Sequence, residues 1–196
     1  MQLNFLRTFI IVTAIVLFFS FGLFFFSRNI GGQKLPVLGQ VQDFQLYDSE
    51  GRPFTSKQLK GKVWIADFFF TTCSDICPML SKNMAALSRT FELENGVALV
   101  SISVNPEIDS PEILEKYRQK MKSKNPRWYF LSGSREAITK LAVHSFKLGS
   151  VDEPVFHSGK FALVDRYGLI RGYYEGTETE ELNQIFKDTS RLLNEH

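Results

Sequence analysis

From Phe9 to Phe26 the chain runs for 18 residues without a charge, and its pattern then changes completely. At helical rise that run spans roughly 27 Å, close to the hydrocarbon thickness of a bilayer. It ends Phe24-Phe25-Phe26-Ser27-Arg28, without the small-residue cleavage pattern of a secretory leader, and no cysteine follows it for lipid attachment. An uncleaved anchor is therefore expected: a tail over residues 1–8, one transmembrane helix over 9–26, a linker over 27–40 and a single domain over 41–196. The flanking charges, Arg7 on one side and Arg28 and Lys34 on the other, nearly balance. The short tail favours a domain on the exported face of the cytoplasmic membrane.

Beyond the linker the apolar positions come in short runs. Phe44-Gln45-Leu46-Tyr47, followed by Asp48-Ser49-Glu50-Gly51, predicts a small hairpin, and Ser56 to Leu59 a helical turn stopped by Gly61. Val63 to Phe70 and Val97 to Val104 are too continuously apolar for half-exposed strands and predict central strands covered on both faces. Between them Met79, Leu80, Met84, Leu87 and Phe91 recur at helical spacing behind Pro78, with Met79 expected in the core. Asp109 or Ser110 is expected to cap a helix started by Pro111, buried through Ile113, Leu114, Tyr117 and Met121. Trp128 to Leu131 reads as a third strand, and Ser134 to Phe146 as a helix buried through Ile138, Leu141, Ala142 and Phe146. Lys160 to Asp165 and Leu169 to Tyr174 read as a hairpin at the sheet edge, and Glu178 to Leu193 as a closing helix. Strands alternating with helices give an α/β domain. The element order is that of a thioredoxin-like fold with an N-terminal hairpin extension and an inserted helix and strand.

Composition narrows the function. The chain has 196 residues, 44% hydrophobic and 22% charged, which is globular rather than disordered. Its 23 basic and 21 acidic residues leave a net charge of +2, so no basic field supports nucleic-acid binding.

Chemistry concentrates in Thr71-Thr72-Cys73-Ser74-Asp75-Ile76-Cys77-Pro78, which holds the two cysteines of the chain. A strand-to-helix turn offers unpaired N–H groups and a positive field that favours thiolate. On an ideal helix, residues four apart have Cα atoms about 6.2 Å apart, within reach of a disulfide or of one shared metal ion. His196 is terminal, and His144 falls off the apolar stripe of its helix. His157 sits in the loop ahead of the strand at Phe161, which a thioredoxin-like topology brings beside the cysteine turn. Two thiolates and an imidazole make a soft site that suits copper, and no convincing fourth ligand for a structural zinc is present. Haem attachment requires C-x-x-C-H, which is absent. A pure binding or scaffold module with an inert disulfide is the non-chemical alternative.

The Cys73–Pro78 segment resembles the CxxxCP motif of the Sco/SenC family of copper chaperones for cytochrome c oxidase. Ser103-Val104-Asn105-Pro106-Glu107-Ile108-Asp109-Ser110-Pro111 is similar to that family's S-V-D-P-E-x-D-[TS]-P segment. His157, with Leu163-Val164-Asp165 and Gly168 behind it, matches its histidine loop. Asn105 stands where the family commonly has aspartate, and Ser74 where it often has proline. The resemblance implies a thioredoxin-like domain, an N-terminal anchor, and one copper ion, Cu(I) or Cu(II), held by Cys73, Cys77 and His157. It also implies delivery to the binuclear copper centre of a terminal oxidase subunit, with an external thioredoxin-like reductant keeping the dithiol open. Asp67 sustains the alternative of a thiol–disulfide oxidoreductase acting on exported cysteines. It lies on the strand six residues before Cys73, where thioredoxins resemble this chain in carrying a buried, proton-accepting carboxylate. A peroxidase ranks third, because the peroxiredoxin cysteine context is missing.

Overall fold

Every residue of Val63–Phe69 and of Val97–Ser103 is buried, and the two runs pair in parallel at the middle of an eight-stranded sheet. The computed structural model describes residues 12–13, 15–22, 34–149 and 158–195. Its strands are β1 (Gly39–Gln40), β2 (Gln45–Asp48), β3 (Pro53–Thr55), β4 (Val63–Phe69), β5 (Val97–Ser103), β6 (Trp128–Ser132), β7 (Lys160–Val164) and β8 (Leu169–Glu175). Its helices are α1 (Cys77–Thr90), α2 (Pro111–Lys120), α3 (Arg135–Thr139) and α4 (Thr179–Asn194). The chain divides into two units, Met1–Leu35 and Pro36–His196. In the first, residues 12–13 and 15–22 are helical and exposed; the rest of the apolar run lies outside the described residues. Among the described residues no helix is long and apolar enough to cross a membrane.

The second unit has the expected mixed α/β architecture. The strand order is β1-β8-β7-β4-β5-β6-β2-β3, with β4, β5 and β6 parallel and the other pairings antiparallel. The β7–β8 hairpin does not lie at the edge. It is inserted beside β4, and β1, from a stretch expected to be linker, covers β8. Short strands such as β1 carry too little apolar pattern to be read from sequence.

Alternation along β4 sends side chains to two layers. Trp64 and Phe68 both meet Phe146 edge-on, at centroid distances of 5.7 and 5.3 Å, in the layer built by α3 and the turns behind it. Phe69 faces the other way and meets Tyr117 of α2 at 5.1 Å. On that side Ser81 of α1 and Tyr117 share a hydrogen bond of 2.7 Å, and Phe91 stacks on Phe186 of α4 at 5.5 Å.

Three expectations are corrected. Met79 is 52% exposed rather than in the core, because α1 buries the stripe of Cys77, Leu80, Ser81, Met84, Leu87 and Ser88. Two residues on from Cys77, Met79 lies on the far side of a 3.6-residue turn. Of the four apolar residues expected to bury α2, only Leu114 is fully buried; Ile113 is exposed, and Tyr117 and Met121 are partly so. The third helix is α-helical only to Thr139 and continues as a π turn over Lys140–Ser145, while Ile138, Leu141, Ala142 and Phe146 are buried as expected.

Candidate functional site

β4 delivers its chain to the C-terminal edge of the parallel strands, where seven residues separate Phe69 from Cys77, the first residue of α1. Cys73 lies in that turn, ahead of the helix, so the helical spacing assumed from sequence does not set the distance between the thiols. The turn sets it: the Cys73 N–H donates to the Phe70 carbonyl at 3.2 Å, and the Cys77 N–H donates to Cys73 Sγ at 3.4 Å. Cys73 Sγ thus takes up the first N–H of α1, whose N-cap residue, Ile76, offers no side-chain cap. Both thiols are free; Cys73 is partly exposed and Cys77 is buried.

Their environments split the pair. Burial acts to raise the Cys73 thiol, but hydrogen bonds from the Cys77 thiol and from the N–H groups of Cys77, Asp75 and Ile76 outweigh it and bring Cys73 below its ordinary value. Burial and the hydrogen bond given to Cys73 push Cys77 up to about 12. Cys73 is thus the more exposed thiol and the readier to ionise, while buried Cys77 holds its proton more tightly. This is a coupled dithiol whose second proton is the difficult one to remove.

Asp67 is 1% exposed on β4, opposite Ser101 of β5 in register. Burial lifts its carboxyl up to about 7, against a weaker lowering by Ser101. Among the described residues its Oδ1 has no hydrogen-bond partner. Its charge acts on both Cys77 and Tyr117, which places it in the electrical neighbourhood of the dithiol.

Asp109 does something the sequence reading missed. Ser110, not Asp109, is the N-cap residue of α2. Asp109 is 1% exposed and accepts from Thr71 N at 3.1 Å, from Thr71 Oγ1 at 2.5 Å and from Ser103 Oγ at 2.5 Å. It ties the loop after β5 to the cysteine turn two residues before Cys73. The available signal was its place after the β5 apolar run, but a capping motif explained it equally well.

His157 lies outside the described residues, as does His196; the stem of the His157 loop is described. Gly159, at φ +67°, would carry a Cβ only 3.0 Å from Ile76 Cδ1, so the loop ends against the residue just before Cys77. The Gly176 N–H donates to the Gly159 carbonyl at 2.8 Å, and Asn83 Nδ2 of α1 donates to the Gly176 carbonyl at 2.7 Å. Turn, helix and loop stem are thus one fastened unit. His144 is exposed on the π turn, as expected. Among the described residues no group of three or more His, Cys, Asp or Glu side chains could by itself hold a metal ion.

The family model for SCO1/SenC matches residues 36–194. A SCO1 protein homolog of Bacillus subtilis strain 168 is 33% identical over 174 residues, 85% of this chain and 90% of that one. A solved SCO1/SenC family lipoprotein from Bacillus anthracis str. Ames is 35% identical, with a TM-score of 0.74 over 83% of this chain and 100% of its own. BsSco, described with a disulfide switch and as a member of the Sco family of cytochrome c oxidase assembly proteins, is 31% identical, with a TM-score of 0.72 over 84% of this chain and 100% of its own. Bradyrhizobium japonicum ScoI, solved with copper bound, is 27% identical, with a TM-score of 0.63 over 78% of this chain and 99% of its own.

Proposed function

The chain belongs to the SCO1/SenC family, and from that premise we propose that it is a membrane-anchored copper chaperone. Its cargo is one copper ion per chain, held by Cys73, Cys77 and His157 and passed to the binuclear copper centre of a terminal oxidase subunit. Residues 9–26 anchor the domain to the cytoplasmic membrane, with the domain on the exported side. A solved relative from Bacillus anthracis is a SCO1/SenC family lipoprotein. An external thioredoxin-like protein keeps the dithiol reduced, because an exported compartment favours closure.

One observation carries this reading. Cys73 and Cys77 meet at the start of α1, and the stem of the loop bearing His157 ends on Ile76 between them. Two thiolates and an imidazole arriving from a separate loop form a donor set that suits copper. Loading copper removes both thiol protons. Cys73 gives up its proton readily, and its thiolate is steadied by N–H groups at the helix start. Cys77 gives up its proton only once the metal competes for the sulfur.

Metal analysis and copper titration of the reduced full chain in neutral detergent test the reading. One copper per chain is expected. His157→Ala should weaken copper binding far more than it shifts the potential of the dithiol. Unchanged copper affinity in His157→Ala, with affinity abolished in Cys77→Ser, would sink the three-donor site.

Asp67 favours a second reading, a thiol–disulfide oxidoreductase acting on exported cysteines. A buried carboxyl whose charge acts on Cys77, with one oxygen unpartnered among the described residues, suits a proton acceptor for Cys77 during exchange. Copper affinity and the rate of reducing a peptide disulfide, measured for Asp67→Asn and wild type, separate the two readings. A large rate loss with copper binding intact favours the oxidoreductase; copper binding and rate both unchanged leave the chaperone.

A further inference from the structure

On the turn that carries the dithiol, the stretch before α1 and the turn before α4 leave a shallow, open groove of about 580 Å³, lined among the described residues by Asp75, Ile76, Met79, Thr177, Glu178 and Glu180. Two features of this groove serve neither the core nor the metal site. Met79 is 52% exposed in the first turn of a helix whose other large apolar residues, Leu80, Met84 and Leu87, are buried. With the partly buried Ile76 it forms an apolar floor. Asp75, Glu178 and Glu180 form an acidic rim on a chain whose net charge is +2, and among the described residues none of the three pairs with a cation. Glu178 is the N-cap residue of α4 and Glu180 lies in its first turn, where both suit the helix dipole; Asp75 directly precedes Ile76, the N-cap residue of α1.

The position of the groove matters more than its composition. Ile76 belongs to three structures at once: the turn between Cys73 and Cys77, the floor of the groove, and the surface against which Gly159 packs. A chain lying in the groove therefore lies against the turn that carries Cys73, the more exposed thiol of the pair. We propose that this groove docks a cationic, cysteine-bearing segment of a partner protein, in which lysine or arginine residues flank the cysteine and an apolar side chain covers Ile76 and Met79. The inference rests on the dithiol being the working site and adds the chemistry of what that site receives. Opposite charges on rim and segment steer the encounter and fix its register, and salt screens them.

Three synthetic peptides with the same intramolecular disulfide and with Lys, Gln or Glu flanks test the proposal on the reduced full chain in neutral detergent. In the exchange Cys73 thiolate attacks one peptide sulfur, and Cys77 then displaces the peptide. The chain ends as the disulfide and the peptide as the dithiol, having taken two electrons and two protons. The Lys peptide should react about tenfold faster than the Gln peptide at low ionic strength and within about twofold of it in 1 M salt. E178Q/E180Q should bring the Lys rate down to the Gln rate, leaving the Gln rate and copper uptake unchanged. A Cys→Ser Lys peptide, unable to react, should shift the Met79 methyl resonance; absence of that shift overturns the proposal whether or not the thiols exchange. Equal rates for the three peptides overturn the docking while leaving the dithiol reading intact. A preference removed by millimolar calcium, but not by sodium chloride of matched ionic strength, assigns the groove to a divalent cation and overturns it. A Met79 shift that follows protein concentration rather than peptide assigns it to a second copy and overturns it too.

Discussion

Asp67 and Asp109 are both 1% exposed, and they are held in opposite ways. Asp109 accepts three hydrogen bonds, from Thr71 and Ser103. Asp67 has an oxygen without a partner among the described residues, and a carboxyl lifted from 3.8 to about 7. Because the folded value is above the unfolded one, the folded chain holds the extra proton between those pH values. The contribution of Asp67 to stability is therefore lost as pH rises from about 4 to about 7 and is level above that. Asp67→Asn should match wild type near pH 4 and exceed it at pH 8, by on the order of 3–4 kcal/mol at most. Urea unfolding of the reduced, metal-free protein at both pH values checks this, and a difference that does not change with pH would contradict it. Asp109→Ala strands the Thr71 N–H and releases two hydroxyls, so a loss of about 1–3 kcal/mol is expected. Copper affinity should fall with it, because the turn two residues before Cys73 loses its tether. Thermal melts beside copper titration distinguish this from a purely structural loss, in which apo stability alone would drop.

At the scale of elements, the site is the meeting of one turn, one helix start and one loop stem. Gly159 makes that meeting possible: its φ of +67° suits glycine, and a methyl group there would press Ile76 Cδ1 at 3.0 Å. Gly159→Ala should cost about 1–2 kcal/mol from backbone conformation alone. It should also weaken copper binding, since Ile76 and the loop stem can no longer both keep their places. If copper affinity were unchanged in this variant, the stem would not be positioning a ligand. α1 contributes in two ways. Its first N–H, that of Cys77, donates to Cys73 Sγ, and its buried stripe, starting at Cys77 itself, leaves Cys73 the more exposed sulfur.

For the whole molecule, the eight-stranded open sheet is built from Gly39 onward and includes no residue of the apolar N-terminal run. Pro36–His196 forms one unit, and its buried residues span both faces of β4 and β5. The fragment from residue 36 should therefore be soluble and cooperatively folded without residues 1–26. Expression of that fragment, with a single unfolding transition as readout, checks it; an insoluble product would mean that the N-terminal unit supplies part of the core.

The sequence by itself determined the central strands, because β4 and β5 are continuous apolar runs and burial on both faces leaves no other pattern. It also determined the cysteine turn, since Cys73, Cys77 and Pro78 combine reactive residues with a helix start. Tertiary structure alone decided that Cys73 stands outside the helix and that Met79 faces solvent. Helical spacing cannot say where a helix begins or which stripe its neighbours cover. The positions of Asp109 and Gly159 were equally hidden. Asp109 meets Thr71 across 38 residues and Gly159 meets Ile76 across a whole α/β unit. Contacts so far apart along the chain leave no local period to read, and they exist only once the sheet has brought its loops to one edge.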